Sequence, residues 1–316
     1  MVPRSLIETI SSLYSLPDVA MRVNELLNSD EATNEQLEQL IVYDPALTAQ
    51  LLKLVNSAHY GFASSIDTVS RAIAIVGREA LRNLVMATAV TSTFKDIPED
   101  LVDMETFWFH SITCGSLARL LAKECNHKDR ERFFIAGLLH SIGKLIMFSQ
   151  FPEQSAEVLS VKDQGENAMV EAEQRVFGFN YAELGAELLK EWQLPPNIWQ
   201  LVAHQLQPLR VNDNSQDVAI LHVATKITAC IEPCAIRTYS FNDVDPGYSP
   251  EAWQRLGLSE ALIQPLVCEA SDQSAEILSI IRPGATLVFV NVKPDQRIAE
   301  SSNKRDNLKA VRRTLN

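Results

Sequence analysis

Apolar residues return every three or four positions through most of the chain, and the breaks between these runs fall on helix caps and stops. Thr33 and Gln36 have capping-box spacing ahead of Leu37, Leu40 and Ile41. Asp44-Pro45 ends that helix and opens the next, with Asp44 as N-cap and Pro45 at the first helical position. Leu47, Leu51, Val55 and Ala58 continue as one stripe that Gly61 stops. A short helix over 69–76 ends at Gly77, and another follows over 78–93. A loop around 96–100, containing Pro98, divides this set from a second that opens near 104, where Phe107, His110, Cys114, Leu117 and Leu121 share a face. Further helices are expected over 131–148, 166–177, 181–191, 196–206, 216–231 and 259–281. The clean strand-like run is Leu287–Val292. The fold class is therefore all-α, in two helical lobes, with a possible small β element near the C-terminus. The lobes are expected at about 1–98 and 99–283, with 284–316 as a separate C-terminal segment.

Composition narrows the function classes. At 46% hydrophobic and 22% charged residues the chain is globular, and 316 residues can bury a core without staples. The 5 cysteines are odd in number and scattered, and the close pair Cys230 and Cys234 has no second pair to complete a zinc set. They are expected to be free thiols in a reducing compartment. Glu8 and Pro17 interrupt any signal-peptide core, and the uncharged stretch from Trp192 to Leu209 carries Pro195-Pro196 and several glutamines. No membrane association is expected, and the location expected is cytoplasmic. A net charge of −12 excludes a phosphate backbone as an ordinary partner. The basic residues Lys304, Arg305, Lys309, Arg312 and Arg313 gather in a short tail against Asp306 alone.

The histidines are where chemistry is to be sought. His110 shares an apolar helix face with Cys114, His140 interrupts the run AGLLHSIGKL, His204 lies late in the helix after Pro195-Pro196, and His222 precedes Val223-Ala224-Thr225. GLLHSIGKL resembles the HD-superfamily phosphohydrolase signature, a His-Asp pair followed by Ile-Gly-Lys. The rest of the chain resembles the HDOD domain, the HD-related output domain of bacterial signalling proteins. The likeness runs from Leu16-Pro17 through Asp44-Pro45-Ala46-Leu47, Leu54-Val55-Asn56-Ser57-Ala58-His59-Tyr60-Gly61, Ala72-Ile73 and Gly77. It continues through Gly178-Phe179-Asn180-Tyr181-Ala182-Glu183-Leu184-Gly185-Ala186 to Trp192 and Leu194-Pro195, covering roughly 13 to 210.

An active phosphohydrolase of this pattern would hold metal through a first histidine, the His-Asp pair and a late aspartate. The resemblance puts His110 and His140 on the two histidines, but Ser141 stands for the paired aspartate and Thr225 for the late one. Tyr181 stands where a further histidine is expected, and the late histidine pair is reduced to His204. Serine and threonine hydroxyls are neutral at pH 7, so both exchanges remove anionic ligands for hard cations. The expectation is a relic pocket of His110, His140, Ser141, Lys144, Tyr181, His204 and Thr225, with no catalytic residues, no metal and no cofactor. The function this implies is that of a non-catalytic bacterial regulatory scaffold, binding a protein partner or a small effector. Alternatives are nucleotide or cyclic-dinucleotide binding in the relic pocket, with Lys144 facing the anion, and residual metal-dependent phosphohydrolysis.

Overall fold

The caps expected from sequence form. The Thr33 hydroxyl accepts from the Gln36 amide at 3.2 Å while the Gln36 side chain accepts from the Thr33 amide at 2.9 Å. Asp44 Oδ1 accepts from the amides of Ala46 and Leu47, both at 3.0 Å. The computed structural model describes residues 2–29, 32–94, 102–210, 215–231 and 247–282. Among them every regular element is helical. The strand-like run Leu287–Val292, the basic tail and the boundary near 98 lie outside the described residues.

The first set comprises α1 (Arg4–Leu13), α2 (Asp18–Leu27), α3 (Asn34–Val42), α4 (Pro45–Val55), α5 (Val69–Val76) and α6 (Arg78–Thr93). The second opens with α7 (Met104–Glu124), α8 (Glu131–Leu139), α9 (Ile142–Gln150), α10 (Pro152–Leu159), α11 (Glu166–Phe177) and α12 (Tyr181–Glu191). It closes with α13 (Pro196–His204), α14 (Ser215–Thr228), α15 (Pro250–Leu256) and α16 (Ile263–Ile281). Short 3-10 turns precede α11, α14 and α16. Helix α7 is the hub of the second set, with α8, α14 and α16 packed along it, while α6 joins α2, α4 and α5 to α8. One continuous apolar core runs through both sets.

The helix expected over 131–148 is two helices, broken at His140 and Ser141. In an unbroken helix the Lys144 amide would bond the His140 carbonyl. Here that amide turns to the Ser141 carbonyl at 2.9 Å, and the Gln205 side-chain amide takes the His140 carbonyl at 2.7 Å. The stretch Glu131–Gln150, with mean hydropathy 1.3, has the length of a membrane span but is bent in this way and mostly buried inside the fold.

Two glycine contacts bring the site-bearing helices backbone to backbone. A Cβ on Gly137 would stand 2.6 Å from the Gly115 Cα, so α7 and α8 cross there without side chains between them. A Cβ on Gly143 would stand 2.0 Å from the Tyr181 carbonyl oxygen, fixing α9 against α12. Real Cβ contacts never approach so closely, so only glycine permits either crossing.

The motif Asn56-Ser57-Ala58-His59-Tyr60 acts as a clasp between the sets. Asn56 clamps the turn after α4, donating to the Leu52 and Ile66 carbonyls and accepting from the Ile66 amide, each at 2.7 Å. The turn presents buried His59 to Gln273 of α16, 3.2 Å away. Tyr60 donates to Glu131 at 2.9 Å, Arg119 donates to the same carboxylate at 2.6 Å, and Arg119 also reaches the His59 carbonyl at 3.0 Å. Glu276 of α16 accepts from the Ala58 amide at 2.8 Å. Helix α16 supplies part of this network, through Gln273 and Glu276.

Candidate functional site

The residues of the resembled site come from five helices, four of them joined at the two glycine crossings. His110 comes from α7, His140 from the end of α8, Lys144 from α9, Tyr181 from the start of α12 and Thr225 from α14. His110, His140 and Lys144 are half-buried, and Ser141, Tyr181 and Thr225 are buried. Lys144 is not the surface lysine that helical position alone would suggest. Its ammonium stands 4.2 Å from the centre of the Tyr181 ring, within cation–π range.

His204 is not part of this group. It is exposed at the end of α13, and the inward residue is its neighbour Gln205, which is fully buried. Besides holding the His140 carbonyl, Gln205 accepts through its own carbonyl from His222 Nδ1 at 2.7 Å. The other ring nitrogen of His222 accepts from the Ser249 amide at 3.0 Å, so both are committed and His222 is no ligand.

Three pocket residues escaped the sequence pattern. Glu166, the first residue of α11, accepts from the Tyr181 hydroxyl at 2.9 Å and from the Lys226 ammonium at 2.6 Å. Lys226 is the residue after Thr225 and is itself buried. Glu173, also on α11, is buried and accepts from the Tyr181 amide at 2.8 Å. No local signal marks these partners, which are separated by 60, 15 and 8 positions in the chain.

The electrostatics follow from burial and from the two ammonium groups. Burial holds His140 down to about 4, against the hydrogen bond to the Gly137 carbonyl. That carbonyl can only accept, so Nδ1 carries the proton and Nε2 keeps its lone pair. Burial and then Lys144 lower His110. For Glu166 burial opposes the charged form, yet Lys144, Lys226 and the hydrogen bonds from Lys226 and Tyr181 hold it at about 2. Burial raises Glu173 to about 7, which the hydrogen bond from the Tyr181 amide and then Lys144 only partly counter.

Glu173 gives a prediction. Its folded value lies above its ordinary value of 4.5, so the stability of its protonated state is complete below 4.5 and is lost as pH rises through 7. Glu173→Gln, which keeps an acceptor for the Tyr181 amide, should stabilise the protein at pH 8 by about 2–3 kcal/mol and scarcely at pH 5. Thermal unfolding of both proteins at the two pH values checks this; equal shifts at both would refute it.

The donor set does not fit the pair of hard cations that an HD phosphohydrolase holds. Ser141 and Thr225 offer neutral hydroxyls, and Thr225 Oγ1 donates to the His222 carbonyl of its own helix at 2.8 Å. Glu166 is already paired. Among the described residues no group of three or more His, Cys, Asp or Glu side chains could hold a metal ion. A cavity adjoining Lys144 and Glu173, lined also by Met147, Phe148 and Phe177, measures about 10 Å³, room for one water.

A family model described as the HDOD domain matches residues 13–208. Similar folds occur in a candidate phosphohydrolase of Shewanella amazonensis, with a TM-score of 0.69 and 22% identity over 88% of this chain and 98% of that one. An HDOD domain protein of Geobacter sulfurreducens has a TM-score of 0.63 and 23% identity over 90% of this chain and 98% of that one. Identities this low carry the fold alone. By sequence the chain is 25% identical, over 52% of its length, to cyclic di-GMP phosphodiesterase CdgJ of Vibrio cholerae. It is also 25% identical, over 60% of its length, to an uncharacterized protein of Treponema pallidum. In each case the match spans 37% of the relative.

Proposed function

The chain belongs to the HDOD family, an HD-related family associated with signal transduction, and on that premise we propose that it is a non-catalytic regulatory module that works by binding a protein partner. The observation that carries this reading is that buried hydroxyls, at Ser141 and Thr225, stand where the resembled pattern has carboxylates. Losing even an indirect partner of a metal ligand typically costs about 10–100-fold in affinity or activity; losing two direct anionic ligands costs more. The net charge of −12 suits docking to a complementary protein surface. The working unit is taken as residues 1–283, because α15 and α16 lie beyond the family match and α16 packs on α7 and α4.

The catalytic half of the proposal is tested directly. With Mn²⁺, Mg²⁺ or Fe²⁺ supplied, the protein should neither release nitrophenol from bis(p-nitrophenyl) phosphate nor linearise cyclic di-GMP above the buffer rate. Turnover that His140→Ala abolishes would overturn it. The partner half is tested by affinity capture at native expression level, where the same regulatory protein should recur and then bind the purified chain with a measurable Kd. A second reading, an anionic effector at half-buried Lys144, predicts saturable nucleotide binding that Lys144→Ala weakens.

A further inference from the structure

We infer that the hairpin of α10 and α11 is a hinged lid on the site, fastened by two carboxylates rather than by an apolar core. The two helices run from Pro152 to Phe177, and Val158 and Ala172 are the apolar side chains on them that are buried outright. Met169, Val170 and Phe177 are covered only in part. The next helix, α12, buries Leu184, Leu188 and Leu189 within 11 residues. The face between the hairpin and α9 is also loosely filled. The cavity lies there, lined by Met147 and Phe148 of α9, Val158 of α10 and Met169 of α11. Buried Ser155 lines it too, and its hydroxyl has no hydrogen-bonding partner among the described residues. Protein interiors are close-packed and their polar groups paired, so such a seam is where the fold parts at least cost.

What fastens the hairpin is polar and comes from α11. Glu166 accepts from the Lys226 ammonium of α14 at 2.6 Å and from the Tyr181 hydroxyl at 2.9 Å, and Glu173 accepts from the Tyr181 amide at 2.8 Å. The ion pair is largely shielded, with side-chain exposures of 10% for Lys226 and 24% for Glu166, so it is stronger than a surface pair. The chain leaves α11 through Gly178 at φ 78°, where an added Cβ would meet nothing within 4 Å, an unobstructed joint. Lifting the hairpin uncovers the Tyr181 hydroxyl and the Lys226 ammonium, so access to that side of the site is set by the open population. The lid stands whether or not the site is catalytic, since neither Ser141 nor Thr225 takes part in it.

Native-state hydrogen exchange of the full chain at pH 7, read by mass spectrometry helix by helix, tests the lid. Freed from α9 and α12, helices of 8 and 12 residues do not keep their own hydrogen bonds, so opening exposes their amides. In the wild type, amides of α10 and α11 should exchange roughly 100-fold faster than those of α7, and low guanidinium should scarcely change their rate while it speeds α7 steeply. Lys226→Met leaves the sequence of α11 untouched, yet it should speed exchange in α11 roughly 10-fold by removing a charged hydrogen bond. Glu131→Ala weakens the clasp, which stays closed when the lid opens, so it should speed α7 and leave α10 and α11 unchanged. Protection of the hairpin equal to that of α7 in the wild type would overturn the lid, a reading that needs no variant to fold. So would equal acceleration of hairpin and α7 by Glu131→Ala. A Lys226→Met protein whose α11 exchanges at the wild-type rate would overturn the fastening.

Discussion

Gly143→Ala should lower Tm by about 10 °C, or abolish cooperative unfolding. The added methyl would stand 2.0 Å from the Tyr181 carbonyl oxygen and 2.9 Å from the Gly185 amide nitrogen, both backbone atoms that no rotamer change can move aside. Helices α9 and α12 must then separate along their length. Overpacking of side chains costs about 1–3 kcal/mol, and a backbone clash of this depth belongs near or above the upper end. The gain of roughly 1 kcal/mol in helix propensity from glycine to alanine is too small to offset it. Gly185→Ala is the internal control. Its methyl would meet the Ile142 side chain at 3.1 Å and the Gly143 amide nitrogen at 3.3 Å, contacts a few tenths of an ångström short rather than a deep clash, so its effect should be smaller than the first. Circular dichroism melts of the two variants decide the matter, and equal tolerance of both would show that the crossing is not what holds the pocket.

Glu131→Ala should cost about 3 kcal/mol at pH 7, the low end for a buried pair, because it leaves half-buried Arg119 without its carboxylate. The carboxylate receives Arg119 at 2.6 Å and the Tyr60 hydroxyl at 2.9 Å, and His59 Nε2 lies 3.9 Å away. Burial disfavours its charge, but His59 and Arg119 hold it at about 2. Its folded value is thus below its ordinary value of 4.5, so its contribution is present above 4.5 and is lost as pH falls toward 2. The penalty of the substitution should therefore shrink steadily between pH 5 and pH 2.5. Adding Arg119→Met should recover part of the loss by removing the stranded charge. Chemical denaturation across that pH range is the measurement, and a penalty independent of pH would count against the clasp as an electrostatic device.

What could be read before folding was set by local chemistry. Asp44-Pro45, Thr33 with Gln36, and Gly77 each act within one helical turn, and each element boundary they imply is present. Helices α1, α2, α10 and α15 escaped the pattern, although Pro152 opens α10 and Ser249-Pro250 and Gly257 bracket α15. The break at His140 was invisible for another reason: AGLLHSIGKL keeps helical period throughout, and the group that breaks it is the Gln205 side chain 65 residues away. In the site, Lys144 lies over the Tyr181 ring and acts on the charges of His110 and His140, while the Thr225 hydroxyl bonds within its own helix. His204 failed by one register step, since residues one apart on a helix point about 100° apart, and Gln205 faces inward instead. Glu166 and Lys226 form a pair only in three dimensions, and neither residue alone is unusual where it stands.

The clasp around His59 has a consequence for the order of assembly. His59 meets Gln273 across 214 positions, and the Ala58 amide meets Glu276 across 218. Contacts of such separation form late, after the entropy of closing a very long loop has been overcome. During synthesis the first six helices can acquire their own turns, but their docking onto α7 and α8 stays unlatched until α16 has left the ribosome. A nascent chain arrested before residue 263 should therefore remain open to protease at the turn after α4, a vulnerability that ends when the last described helix arrives.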